Sequence, residues 1–460
     1  MNLAERLAVL RLRLKGDGVG ATLARGASAT FMVRVAGMLI GFGLNVVLAR
    51  VLGASAYGTY VYALSWLLLV ALASQLGLRD SVVRFGAAAY GQLAWAELKG
   101  IAVFSNRWTL TVSFVSTAVF AGVLWGLSDR LAPSLLYSLS FGLLLIPIVG
   151  FVGVKSAMLI ALARPVLATL TELVSRPAMI LFGIAGAYFV IGENLSPVFA
   201  MGVTVVASGF SLLLCFFFLR RSIPSEVNAG SADLENRREW RTVALSIFLV
   251  AAMTLINNRA DMLMIGTMLG TTEVGFYSAA NRYAQFLPFP LYAVNSLAAP
   301  MIASLYMEGR RREIQRALSL AALGIGCFAI PAAILLIVAG RPLLGIYGTE
   351  FVEGYDALVW LTISQLGVAL GGSVMQLMTM TGHHRPAARI VGVSAVLNLT
   401  LNFILIPRFG IAGAAIATAA SAVLANLGMV LFVRRRLGLD PTLFSYFRRN
   451  AVNGPGSQGD

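Results

Sequence analysis

The chain has 460 residues, 58% hydrophobic and 12% charged, with a formal net charge of +15. A chain so apolar is solvated mainly by lipid, which excludes the ordinary water-soluble classes and predicts a polytopic membrane protein. Long, continuous apolar runs favour helices over a barrel's alternating strands of about ten residues. Cys215 and Cys327 lie in apolar runs, and His383 and His384 are adjacent in a loop, so neither a disulfide framework nor metal-ligand spacing is present. No cofactor or metal is expected, and no nucleophile with a paired base suggests an enzyme.

In chain order, residues 1–27 set Arg6, Arg11, Arg13, Lys15 and Arg25 among Leu3, Leu7, Leu10 and Leu14. This is the pattern of a basic amphipathic helix on the cytoplasmic membrane surface, with a partner-binding helix as the alternative. Span one, 28–49, contains Arg34 and leads through a turn, 50–56, into span two, 57–78. A mixed loop over 79–100 precedes span three, 101–127, which has Asn106 and Arg107 near its start. Span four, 133–153, carries Pro147 as a kink. Span five, 167–191, carries Glu172, Arg176 and Pro177, whereas span six, 197–219, is almost purely apolar.

Composition then changes abruptly to RRSIPSEVNAGSADLENRREWR over 220–241, too polar to cross a membrane and suited to a linker between two halves. Spans seven (242–266) and eight (274–297, with Pro288 and Pro290) follow, then a basic loop ending at Arg316. Spans nine (317–339), ten (355–380), eleven (387–406) and twelve (411–433) complete the set. The expected organisation is an N-lobe over 28–219, the linker, a C-lobe over 242–433 and a cytoplasmic tail over 434–460, twelve spans in all.

Lys and Arg test that count. They number 26 on the side shared by both termini, Arg389 at the edge of span eleven being counted there, against 4 on the other, with five deeper inside spans. This bias predicts cytoplasmic termini and makes the net charge a matter of topology rather than nucleic-acid binding. An internal repeat supports two halves of like orientation. LGASAYGTYVYA from Leu52 aligns with LGTTEVGFYSAA from Leu269, matching Gly53 to Gly270, Gly58 to Gly275 and Tyr60 to Tyr277. Parallel repeats of this kind build transporters with a central site and alternating access, unless the motif is merely a favourable outer turn.

The five arginines inside spans carry the functional reading, because a central Arg or Asp costs roughly 2.5 to 3.5 kcal/mol on insertion scales and must face protein or water. Arg34 and Arg107 sit near helix ends, where they either snorkel or face inward. Glu172 and Arg176 have the i, i+4 spacing of a helical ion pair, structural or functional. Asn281, Arg282 and Gln285 fall within about 100° of helix surface and form one polar face. Asn257, Asn258 and Asp261 share another; Arg259 points about 200° from Asn257, so its side chain wraps round or the helix is locally unwound. Asp261 is the candidate group for proton or cation coupling, with Glu172 as a second. Five Arg against two acids leave +3, which suits an anion, and guanidinium forks clamp phosphate oxygens in two-point contacts.

VLARVLGASAYGTYVYALSW, the stretch from Asn257 to Arg316 and VLNLTLNFILIPRFGIAGAAIATAASAVLANLGMVLFVRRRLG together resemble the O-antigen type of polysaccharide flippase in the multidrug/oligosaccharidyl-lipid/polysaccharide exporter superfamily. The resemblance covers roughly residues 28 to 437 and rests on the combined pattern rather than on one motif. It implies an all-α, MATE-like, V-shaped fold with two pseudo-symmetric six-helix lobes around a central cavity. It also implies transfer of polyprenyl-diphosphate-linked saccharides across a bacterial inner membrane, with a polysaccharide polymerase as a further partner. Helices one, two, seven and eight line the cavity in that superfamily, and Arg34, Arg259 and Arg282 map onto them; Arg107 and Arg176 do not. The expected substrate contacts are Arg34, Arg176, Arg259, Arg282, Asn257, Asn258, Asn281 and Gln285, with energy from an H+ or Na+ gradient or the membrane potential. A cation-coupled drug or metabolite exporter on the same fold is the alternative, and it calls for an acidic interior.

Overall fold

The structure, a computed structural model, describes residues 19–192 and 195–443, with the backbone alone for 19–27 and for several positions between 191 and 303. The basic segment expected over 1–18 and the tail beyond 443 lie outside the described residues. Every regular element among the described residues is helical.

Seven helical stretches among them are long and apolar enough to cross a bilayer, and two of these are too long to cross it once. Ser28–Gln75 has 48 residues and His384–Leu437 has 54, or about 70 and 80 Å at 1.5 Å per residue, against a hydrocarbon core of about 30 Å. Each contains one non-helical glycine: Gly53 (φ 73°, ψ 169°) and Gly410 (φ 60°, ψ −141°). Only a residue without Cβ occupies these conformations cheaply, so each long helix is a pair of spans. Span seven bends by 52° between Arg237–Leu255 and Arg259–Met268, and span ten by 42° between Thr349–Leu370 and Val374–Met380. Span eight is Thr271–Ala284 and Phe289–Met307, interrupted just where Pro288 withholds an N–H. With Trp95–Gly126, Pro133–Ala161, Pro165–Val190, Pro197–Ser222 and Arg311–Val338, the helices match the twelve spans expected.

Local departures have physical causes. The segment expected as a loop over 79–100 contains the helix Leu78–Gly91, whose buried Leu78, Ser81, Val82, Gly86 and Ala89 recur at helical spacing. Span four breaks at 143–144, before Pro147, and then runs on to Ala161. Lys155, counted by charge with the following loop, is therefore helical and buried, its ammonium 4.7 Å from the Phe216 ring centre.

The chain divides into two compact units, one of residues up to Val51 with Trp66–Ala252, the other of Leu52–Ser65 with the residues from Met253. In the first, the 220–241 segment is docked rather than free. Trp240 and Val227 are buried, the Asp233 N–H donates to the Ala96 carbonyl at 3.0 Å, and Lys99 Nζ donates to the Gly230 carbonyl at 2.7 Å. A side chain at Gly100 would collide with the Asp233 carbonyl, and one at Gly77 with the Ala244 carbonyl. The apolar residues within the polar sequence account for this seat.

In the second unit the two repeat copies meet. A Cβ at Gly58 would strike the Thr271 carbonyl, and one at Gly275 the Ala54 carbonyl. Because Ala54 and Thr271 are themselves equivalent in the repeat, the contact is reciprocal, as at a two-fold interface. Gly53 and Gly270 (φ 121°, ψ 174°) both start their helices with positive φ. Thr59 Oγ1 donates to Thr271 Oγ1 at 3.1 Å, the Tyr57 and Ser278 hydroxyls lie 3.3 Å apart, and the Ala54 N–H donates to Glu350 Oε1 at 2.5 Å. The motif is thus a pairing surface as well as a turn. Gly58→Val and Gly275→Val should each cost about 1–3 kcal/mol, as overpacking of a tight contact does. Thermal unfolding in detergent should show both melting earlier than the wild type, while Gly41→Val, at a position with open space around it, stays close to it.

Candidate functional site

Span five decides what Glu172 meets. Leu170–Ser175 is a π turn set between Pro165–Thr169 and Arg176–Ile191. A π turn takes more residues per revolution than an α-helix, so four-residue spacing no longer stacks Glu172 over Arg176. Glu172 Oε2 pairs instead with Arg79 Nη2 at 2.8 Å, which corrects the expected Glu172–Arg176 pair. The wide turn leaves the Thr171 carbonyl to accept from Ser175 Oγ at 2.7 Å and from Ser211 Oγ at 2.6 Å. Pro177 has no N–H to give the preceding turn, and Gly37 of span one lies against the Leu173 carbonyl. In the same unit Arg34 is exposed and Arg176 half-buried.

The second unit holds the rest of the expected residues. Arg259 follows the bend in span seven directly, so local deformation accompanies its orientation. Arg259, Asn281 and Arg282 are half-buried, and Gln285 is exposed at the end of Thr271–Ala284. The side chains of Asn257 and Asn258 lie outside the described residues.

Asp261 is only 7% exposed and sits at the centre of a polar cluster. Its Oδ1 accepts from Asn402 Nδ2 at 2.7 Å; its Oδ2 accepts from the Tyr277 hydroxyl and from Thr418 Oγ1, each at 2.6 Å. Asn402 Nδ2 also donates to Asn398 Oδ1 at 3.1 Å, and Asn398 Nδ2 reaches Thr418 and Ser421. No ion pair among the described residues involves Asp261. Asn402 Oδ1 is buried without a hydrogen-bond partner. A carboxylate, a spare amide oxygen and hydroxyls form a hard oxygen set that can exchange a proton or a small hard cation.

Sequence reasoning found Asp261 and missed its partners. Asn398 and Asn402 stand four apart in the apolar run VLNLTLNFIL, and Thr418 and Ser421 three apart in the next span. Polar groups at helical spacing inside hydrocarbon are the signal that marks them. Asp261→Ala would leave three buried donors without their acceptor and should cost about 2–5 kcal/mol. Asp261→Asn keeps one acceptor oxygen and should cost less, an order that thermal unfolding in detergent checks.

Comparison with known proteins places this arrangement. Residues 23–306 match the family described as polysaccharide biosynthesis protein, and 244–404 match the MatE family. The chain is 28% identical over 204 residues to the probable flippase AglR of Haloferax volcanii, a match covering 42% of each protein. It is 32% identical over 166 residues to the probable low-salt glycan biosynthesis flippase Agl15 of the same organism, covering 35% of this chain and 34% of that one. The matches thus span under half the length of either curated relative. In fold, it superposes on an inward-facing multidrug resistance MATE family transporter with a TM-score of 0.68 at 14% identity, over 89% of this chain and 98% of the other. The chain belongs to the polysaccharide biosynthesis protein family, and its fold is that of the MATE family transporters.

Proposed function

We propose that the protein is a flippase that carries polyprenyl-diphosphate-linked oligosaccharide from the cytoplasmic to the outer leaflet of a bacterial inner membrane, for O-antigen or exopolysaccharide assembly. Both termini are then cytoplasmic, in keeping with the distribution of Lys and Arg. The observation that carries this reading is the disposition of the acids inside the spans. Glu172 is held by Arg79, and Asp261 by neutral donors. Both acids thus have partners of their own, and spans that carry Arg34, Arg176, Arg259 and Arg282 suit an anionic substrate. A diphosphate offers several oxygens to planar guanidinium forks and meets that requirement. The names of the two archaeal relatives, both flippases and one of glycan biosynthesis, point the same way.

In this reading Arg259 and Arg282 engage the diphosphate, with Arg34 and Arg176 as further cationic contacts. Asn257, Asn258, Asn281 and Gln285 face the sugar, and the polyprenyl chain stays in lipid. Asp261 couples the alternating-access cycle to an H+ or Na+ gradient through its oxygen cluster, and a polysaccharide polymerase receives the product. Leaflet-resolved transport of a fluorescent polyprenyl-diphosphate oligosaccharide in proteoliposomes tests the proposal. The Arg259→Ala/Arg282→Ala double variant should insert and fold but lose translocation; full transport by it, or efflux of a small cationic dye in place of the glycolipid, overturns the reading. Asp261→Asn should translocate at a rate that no longer responds to an imposed proton or sodium gradient.

A further inference from the structure

A cationic cleft on the first unit is built from none of these residues. On the first unit, a cleft of about 430 Å³ runs between the start of span three and the docked linker, lined by Val103, Phe104, Arg107, Trp108, Thr111, Val112, Leu234 and Arg237. Its only charged side chains are Arg107 and Arg237, both exposed. Neither guanidinium forms an ion pair among the described residues. Phe104 forms one wall, its ring 5.7 Å from both Trp108 and the buried Trp240. From there the cleft climbs span three towards Thr111 and Val112, beside exposed Leu110, Phe114 and Val115.

We propose that this cleft binds the phosphate headgroup of an anionic phospholipid from the leaflet on the basic side of the protein, the two guanidiniums holding the phosphate. The polarity of the cleft runs the same way as that of a lipid. Cations and indole mark the interfacial end, where Trp is favoured and arginine meets headgroups. Val112, beside exposed Phe114 and Val115, marks the end that climbs into hydrocarbon, about 7 Å beyond Arg107 along the helix. Apart from Thr111, no uncharged polar side chain lines the cleft, so the glycan of a lipid-linked sugar would find no partners there. Arg237 is also the first residue of Arg237–Met268, and a helix N-terminus favours anions. A bound phosphate would therefore tie the start of span seven to span three through two side chains from different parts of the sequence.

The leaflet assignment rests on the orientation given above, but the test does not. Purified full-length protein in detergent is titrated with phosphatidylglycerol or phosphatidylcholine of matched acyl chains, and bound lipid is counted by native mass spectrometry. The wild type should retain phosphatidylglycerol preferentially. Arg107→Ala/Arg237→Ala should lose that preference by roughly tenfold or more, since a basic group near an anionic headgroup contributes about fivefold. Arg311→Ala/Arg312→Ala, which removes as much exposed charge from the start of the helix Arg311–Val338, should retain it. Equal binding of both lipids by the wild type, an unchanged preference in the cleft variant, or equal loss in the control overturns the proposal. So does displacement of the lipid by millimolar inorganic phosphate, which would mark a site for a free anion. Lipid retention is read without translocation, so failure here and failure of the flippase reading are separate results.

Discussion

Hydrocarbon offers no hydrogen bonds, so each polar group that a span carries into the membrane must find its partner inside the protein. That requirement organises the chain at every level. It makes every regular element among the described residues helical, and it favours irregular backbone where another segment covers it. The π turn at Leu170–Ser175 is tolerated because Ser175 and Ser211 hydroxyls supply what its displaced carbonyl needs. The same rule gathers Tyr277, Asn402 and Thr418 from three different spans around one carboxylate.

Close backbone approach is the second element of the design. Glycines at 58, 77, 100 and 275 bring main chain against main chain where any side chain would hold segments apart. Two of these contacts seat the linker and the start of span seven within the first unit, and two join the repeat copies within the second. All three limits between the units fall inside helices, and two lie just before a break: Val51 and Leu52 before Gly53, and Ala252 and Met253 before the 52° bend. Breaks of this sort are where a helix can change direction without loss of packed core.

Much of this was legible from sequence because long apolar runs and polar interruptions are strong signals. The span count, the repeat and the isolation of Asp261 all follow from them. Glu172 and Arg176 show where the signal fails. Their spacing is that of an α-helical pair, yet nothing local announces the π turn, and the partner, Arg79, comes from a helix more than ninety residues earlier. The docking of the linker was not legible for a similar reason, since Trp240 and Val227 are single apolar residues in a polar stretch and their burial depends on a groove made elsewhere. Asn398, Asn402 and Thr418 were visible as polar residues in apolar runs, but only three-dimensional proximity ties them to Asp261.

The two repeat copies have also diverged in how they begin. Glu273, the third residue of its helix, lies near Gly270, so the second copy carries its own negative charge at the positive end of its dipole. The first copy has Ala56 at that place and takes its carboxylate from Glu350, beyond span nine in the sequence. Glu350 thereby acts as an electrostatic clasp at the start of one copy, joining the helix that begins at Ala54 to a segment almost three hundred residues later.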